Sequence, residues 1–344
     1  MRWSGQQIDA SDDGALPGME MPARMPGLVR SVTTPEFTGI TFHEVLAKSA
    51  LNHVPEAAAL PFRWTINPYR GCSHACRYCF ARNTHTYLDL DAGADFDQQV
   101  VVKVNISEVL ARELGRASWG QHHVALGTNT DPYQRAEGRY QLMPGIISAL
   151  HRSRTPFSVL TKGTLLLRDL PLLVDAARDV EVSANVSVGS VDEAVWREIE
   201  PGTPSPLRRL EACRRLNDAG IGCGVLMAPV LPGLTDSEQQ LRDTVDAVAA
   251  AGATHLSAIA LHLRPGAREW YLGHIRRHRP DLLPLYEELY PGREAYAPQW
   301  YRSRLAETVH RLARQRGIGT GTGRVVRTAP APAQRGELEQ LRLI

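Results

Sequence analysis

The chain has 344 residues, 43% of them hydrophobic and 22% charged, the balance of an ordinary globular protein rather than a disordered or fibrous one. Lysine and arginine total 39 against 37 acidic residues, a net charge of +2, which excludes a molecule that binds polyanions through its overall charge. No run approaches the roughly 18 apolar residues of a membrane-spanning helix, and Met1-Arg2-Trp3-Ser4-Gly5 lacks the apolar core of a signal peptide. Five cysteines, three of them clustered, do not make a disulfide framework, so a reducing, cytoplasmic setting is expected. The chain is read as a monomer.

Residues 1–35 are rich in Gly, Pro, Asp and Met without hydrophobic periodicity and read as a flexible or draped extension, followed by a short helix over Thr41–Asn52. From about residue 60, apolar strand-like runs alternate with amphipathic helical ones, the pattern of a parallel sheet with crossover helices. Strands are expected at 63–67, 100–105, 123–127, 157–161, 180–188, 222–227 and 255–262. Helices are expected at 107–114, 139–152, 167–177, 206–219, 237–251 and 269–278, with Gly220 and Gly252 as stop signals and Asp236 or Ser237 as a cap. A long arginine-bearing helix follows at Gln299–Gln315, then a Gly- and Pro-rich tail from Gly317 with a short helix at Gly336–Leu343. The expected organisation is an N-terminal extension (1–58), a core (59–280) and a C-terminal helical extension with a linker-like tail (281–344). Active groups of such α/β barrels gather at the C-terminal ends of the strands.

The first strand leads into Asn67-Pro68-Tyr69-Arg70-Gly71-Cys72-Ser73-His74-Ala75-Cys76-Arg77-Tyr78-Cys79-Phe80. The spacing is C-x3-C-x2-C. Three thiolates hold three irons of a [4Fe–4S] cube and leave the fourth iron open to a substrate or cofactor. The alternative is zinc, which takes four N or S donors, with His74 or His85 completing the set. A C-x3-C-x2-C run is not the usual zinc knuckle, so the cluster is favoured.

Cys72, Cys76 and Cys79, with Tyr78 and Phe80, resemble the cluster loop of radical S-adenosylmethionine (SAM) enzymes. Asn67 to Arg82 is similar to the branch related to spore photoproduct lyase, the DNA repair photolyase-like proteins. Glu200-Pro201-Gly202-Thr203-Pro204-Ser205-Pro206 and Met227-Ala228-Pro229-Val230-Leu231-Pro232-Gly233 support the same branch. The resemblance spans about residues 60–265. It implies a partial (βα)6 TIM-type barrel, a [4Fe–4S] cluster, SAM, oxygen sensitivity, and an electron donor such as flavodoxin or ferredoxin. It also implies reductive cleavage of SAM to a 5′-deoxyadenosyl radical, with the protein supplying orientation and exclusion of water.

On this resemblance Cys72, Cys76 and Cys79 are the metal ligands, and Tyr78 and Phe80 pack on the cluster or on adenine. Thr128, Asn129 and Asp131, at the end of the 123–127 strand, are candidates for the methionyl ammonium, although Asn-Thr-Asp-Pro is also good turn chemistry. Lys162 closes the next strand, where a cation would hold the SAM carboxylate or ribose. Only Lys48, Lys103 and Lys162 are lysines, which makes that placement notable. Asn185 and Ser187 alternate with apolar residues and are candidates for the barrel interior, as Met227 is for adenine. Glu200 with Arg208 or Arg209 reads as a loop clamp.

The lyases carry a hydrogen-donating cysteine where this chain has Ala125-Leu126-Gly127-Thr128, and a tyrosine where it has Phe80. Cys223 is a weak candidate donor, on the expectation that it faces the interior. The resemblance therefore covers the radical-generating machinery and leaves the substrate open: a nucleic-acid base or lesion in DNA or RNA, or a protein or small molecule. A non-enzymatic iron–sulfur or zinc protein is the third reading.

Overall fold

The structure, a computed structural model, describes residues 25–56 and 60–320. The tail helix expected at Gly336–Leu343 and residues 1–24 of the N-terminal extension lie outside the described residues.

Two sheets organise the fold. The larger contains β3 (Leu51–His53), β4 (Trp64–Ile66), β7 (Val124–Leu126), β8 (Phe157–Thr161), β9 (Val182–Ser187), β10 (Gly222–Val230), β11 (His255–Ala260) and β12 (Gly319–Thr320). Its order is β12-β11-β10-β9-β8-β7-β4-β3. The six strands from β4 to β11 are mutually parallel and follow chain order, an open partial barrel, while β3 adds antiparallel at one edge and β12 parallel at the other. The smaller sheet, in the order β1-β2-β6-β5, joins β1 (Leu28–Thr33), β2 (Thr41–Val45), β5 (Tyr69–Arg70) and β6 (Gln99–Lys103).

Two expectations change here. The short helix over Thr41–Asn52 is absent: Thr41–Val45 is a strand pairing β1 and β6, and Leu51–His53 is the sheet-edge strand. Phe42 and Val45 find their partners only in distant segments, so tertiary pairing overrides a weak local signal. The strand expected at 100–105 does form, but in the small sheet and not in the barrel.

The helices are α1 (Ala94–Gln98), α2 (Ile106–Leu114), α3 (Glu137–Tyr140), α4 (Leu142–Arg152), α5 (Leu170–Ala176), α6 (Glu193–Ile199), α7 (Pro206–Asp218), α8 (Glu238–Ala250), α9 (Ala267–His278), α10 (Leu283–Leu289) and α11 (Gln299–Gln315). The single helix expected over 139–152 is broken at Gln141, whose φ is +49°. Several boundaries carry visible signals. Ser237 accepts from the Gln240 amide and completes a capping box for α8, and Ser205 caps α7 ahead of Pro206. The short α6 and α10 have no counterpart in the sequence reading. The arginine-bearing α11 packs on β11 and α8 and places Leu305, Val309, Leu312 and Ala313 in the main core.

The side of the sheet facing the helices is set by register. Ala184 and Val186 of β9 pair with Cys223 and Val225 of β10, and all four are buried in the core that includes residues of α7 and α8. The opposite parity faces the barrel interior.

Candidate active site

Strand parity and strand ends create one cavity at the C-terminal mouth of the partial barrel, with about 950 Å³ of space not filled by atoms, part of it open to solvent. Cys72, Cys76, Cys79, Tyr78 and Phe80 line it from the loop after β4, Asn129 and Asp131 from the loop after β7, Lys162 from the end of β8 and Ser187 from β9. Leu226, Ala228 and Pro229 of β10 and Ile259 to His262 at the end of β11 complete the wall.

The cysteine loop is held from several sides. Arg82, fully buried, donates to the carbonyls of Cys76 and Gly93 at 2.9 and 2.7 Å and to both oxygens of Asp97 at 2.9 Å. Its guanidinium lies over the rings of both Phe96 and Trp270, 5.2 and 4.9 Å from their centroids. Gln134, also buried, accepts from the Ser73 amide and donates to the Gly71 carbonyl. Gly71 has φ +83°, a left-handed turn that suits glycine.

The Glu200-Pro201-Gly202-Thr203 turn docks on the other side. The Gly202 amide donates to the His74 carbonyl at 3.1 Å and the Arg77 amide to the Ile199 carbonyl at 2.9 Å. A Cβ on Gly202 would meet the Ser73 carbonyl oxygen at 2.3 Å, so this approach requires glycine. Glu200, buried, accepts from the Tyr78 hydroxyl and from Arg209. Arg209 also donates to the carbonyls of Ser187 and Pro204, at 2.9 and 2.8 Å. The structure thus selects Arg209 and not the exposed Arg208 as partner of Glu200, in a clamp that joins the cysteine loop to β9.

The three thiols are unpaired. Burial pushes each of them up in pKa, with Asp131 adding for Cys72 and Glu200 for Cys76. A metal that took these thiols as ligands would have to displace their protons. Among the described residues no three His, Cys, Asp or Glu side chains gather closely enough to hold one ion. Three thiols spread around one cavity instead fit a cube whose ligated irons occupy separate corners.

Asp131 has a different role from that expected. It accepts from Thr161 Oγ1 at 2.5 Å, the Lys162 amide at 2.6 Å and the Tyr133 amide at 2.9 Å, and faces His74 Nδ1 at 3.3 Å. Burial pushes its carboxyl up, but His74, Thr161 and the Lys162 amide outweigh this and hold it down at about 2. Its oxygens join three segments of the mouth. Asn129 is the member of its trio that lines the cavity without such commitments, and Thr128 does not line it.

Lys162 reaches into the cavity. Its ammonium donates to Ser187 Oγ at 2.6 Å and lies 5.6 Å from the Tyr78 ring centroid. Ser187 in turn donates to the Ala228 carbonyl at 2.9 Å. The remaining ammonium donors are available to an anionic group in the cavity.

Asn185 shares the inward parity but sits one layer, about 6–7 Å, below Ser187. There its Oδ1 contacts His255 Nε2 at 2.8 Å, beneath the cavity, across Gly224, where a Cβ would meet the His255 ring at 2.2 Å. Met227 and Cys223 lie on the outward parity, fully buried in the main core and absent from the cavity wall. The inward face at this strand belongs to Leu226 and Ala228. Alternation revealed the period of β10 but not its sign, because a barrel strand is apolar on both faces. The Cys223 amide is held by Asn217, and the Cys213 thiol is directed at the Cys223 carbonyl. Cys223→Ala is accordingly expected to leave SAM cleavage unchanged while costing about 1 kcal/mol of stability, measured as product formation and thermal unfolding of the same preparation. Residues missed from the sequence are Arg82, Gln134 and His262. Arg82 is the one with a local signal, three residues beyond Cys79.

A partial barrel with three thiols, an ammonium and a wall of small and apolar groups at its C-terminal mouth is the core of a cofactor-dependent α/β enzyme. The Radical SAM superfamily model matches residues 66–245, and the chain belongs to that superfamily, whose cofactors are a [4Fe–4S] cluster and SAM. An uncharacterized protein of Mycobacterium tuberculosis is 56% identical over 313 residues, covering 90% of this chain and 91% of the relative. One from Methanocaldococcus jannaschii is 25% identical over 201 residues, covering 58% and 72%. Among solved structures, spore photoproduct lyase complexed with dinucleoside spore photoproduct aligns with a TM-score of 0.62 at 17% identity, covering 81% of this chain and 80% of the lyase. A variant of that lyase with bound AdoMet and the same dinucleoside aligns at 0.60 and 18% identity, covering 78% and 77%. These likenesses show the fold. No helix among the described residues is long and apolar enough to cross a membrane.

Proposed function

We propose that this chain is a radical SAM enzyme whose cluster is ligated by Cys72, Cys76 and Cys79, and that it acts on a nucleic-acid base or lesion. The observation that carries the first part is the placement of the three thiols and Lys162 on one cavity wall at the strand ends. When bound, the cluster and SAM supply one-electron cleavage to a 5′-deoxyadenosyl radical. Lys162, held by Ser187, is assigned the SAM carboxylate, and Asn129 the methionyl ammonium. Tyr78, fixed by Glu200, packs its ring beside Cys79, and Leu226, Ala228 and Pro229 exclude water from the apolar side. An external donor such as flavodoxin or ferredoxin supplies the electron, and the reading places the enzyme in the cytoplasm as a monomer.

The nucleic-acid part is supported by the fold shared with a lyase complexed with a dinucleoside. The chain departs from that lyase in chemistry: the cavity wall offers no thiol beyond the cluster ligands among the described residues, and Phe80 has no hydroxyl to relay hydrogen. The proposal is therefore a nucleobase-directed enzyme distinct from a photoproduct lyase.

Anaerobic reconstitution with iron and sulfide, followed by SAM and dithionite, is expected to yield 5′-deoxyadenosine. A reconstituted protein that carries the cluster yet releases none of it would overturn the enzyme reading. Transfer of deuterium from labelled DNA or RNA into 5′-deoxyadenosine tests the substrate class, and transfer solely from a protein fraction would refute it.

A further inference from the structure

Large apolar side chains are exposed at the outer rim of the cavity, where burial would be the default. Phe80 is 44% exposed, Tyr296 42% and Ile259 38%. The Tyr296 ring meets the His262 ring edge-on at 4.6 Å between centroids, and the two residues form a backbone bridge. The exposed Arg264 donates to the Tyr296 hydroxyl at 2.9 Å and lies 5.8 Å from the Phe80 ring centroid and 6.0 Å from that of Tyr296. Arg264 therefore links the residue after the last cluster cysteine to the far wall of the cavity.

Two features point to what this rim binds. Its rings and guanidinium offer flat faces on which another flat group can stack. Its charge is positive: Arg264 and Arg302 both act electrostatically on His262, and neither forms an ion pair among the described residues. Arg302 instead donates to the Ala297 carbonyl and to Gln299. A planar group joined to an anion matches both features, and a nucleotide is such a ligand. An aromatic peptide side chain would use the rings and leave the two cations unanswered.

We propose that Phe80, His262, Arg264 and Tyr296 form a stacking subsite that receives a nucleobase of the substrate at the cavity mouth, with Arg264 and Arg302 toward the adjoining phosphate. This inference rests on the nucleic-acid reading above and adds the surface that would carry it. Phe80 then serves the substrate side of the cavity. Its ring lines the cavity at the exposed rim, and its missing hydroxyl is of no consequence to stacking.

The test is fluorescence anisotropy of a fluorescein-labelled single-stranded DNA oligonucleotide with the reconstituted, SAM-loaded protein. Tyr296→Ala and Arg264→Ala are each expected to weaken binding roughly tenfold. Tyr296→Phe, which retains the ring, is expected to stay within about twofold of the parent, since stacking survives the loss of the hydroxyl. Arg264→Ala is further expected to reduce the salt dependence of binding, a readout that loss of packing alone would not move. Tyr87→Ala, another exposed aromatic outside the cavity wall, is expected to have no effect. If the parent binds the oligonucleotide and both alanine variants bind equally well, the rim assignment is overturned and the nucleic-acid reading stands. If the parent binds a tyrosine-bearing peptide and no oligonucleotide, both are overturned together.

Discussion

Alanine at any one of Cys72, Cys76 or Cys79 is expected to abolish the iron–sulfur absorbance of the reconstituted protein and to lower 5′-deoxyadenosine formation by more than about a hundredfold. Loss of a partner one layer outside a metal site typically costs roughly 10–100-fold, and loss of a ligand exceeds that. The cavity wall has no thiol among the described residues to substitute, and His74, the nearby imidazole, is engaged with Asp131 at 3.3 Å. Fold stability separates the effect from unfolding. Cys72 and Cys76 are buried and Cys79 half-buried, and burial raises the pKa of all three, so alanine leaves no uncompensated charge and the metal-free variants are expected to unfold within a few degrees of the metal-free parent. Full iron content in any one variant would show that its cysteine is not a ligand.

Arg209→Met is expected to destabilise the fold by about 3–5 kcal/mol, because it removes one partner of a buried ion pair and leaves the other charged. Glu200 would keep Tyr78 and Thr203 as donors but lose the cation that, with Lys162, outweighs burial and holds its pKa down. The midpoint of thermal unfolding should fall by roughly 10 °C, given about 2–4 °C per kcal/mol for domains of somewhat smaller size. Adding Glu200→Gln should recover part of that loss, which a double-mutant cycle quantifies. The same variant should incorporate iron poorly, since the clamp positions the turn that holds the His74 carbonyl and the Tyr78 ring beside the cysteines. An unfolding midpoint within a degree or two of the parent would refute the clamp.

The chemistry-bearing segments were local in sequence. Cys72, Cys76 and Cys79 fall within one loop, and their short spacing keeps them together on one cavity wall. Lys162 and Ser187 were legible because each sits at a strand end, where parallel barrels place their reactive groups. The Glu200–Arg209 clamp was legible as a pair because its members share one turn and the start of α7.

Other features depended on distant segments. Asp131 looked like an acceptor for a ligand, but Thr161 and His74 claim its oxygens. Thr41–Asn52 reads as a helix until β6 arrives to pair with it. The residues around His262 and Tyr296 meet across more than thirty positions of chain, and neither carries a local motif.

By itself, then, the sequence determined the cofactor chemistry and the alternation of strands and helices, because metal-ligand spacing and hydrophobic period are properties of neighbouring residues. Only the tertiary structure decided which face of each strand is inward and which polar groups remain free. Parity has no sign until a sheet has a core on one side, and a hydrogen-bonding group is spent or available only once its distant partners are in place. Cys223 marks the difference: its period was correct, its side was not, and packing against Cys213 and α7 settled where it belongs.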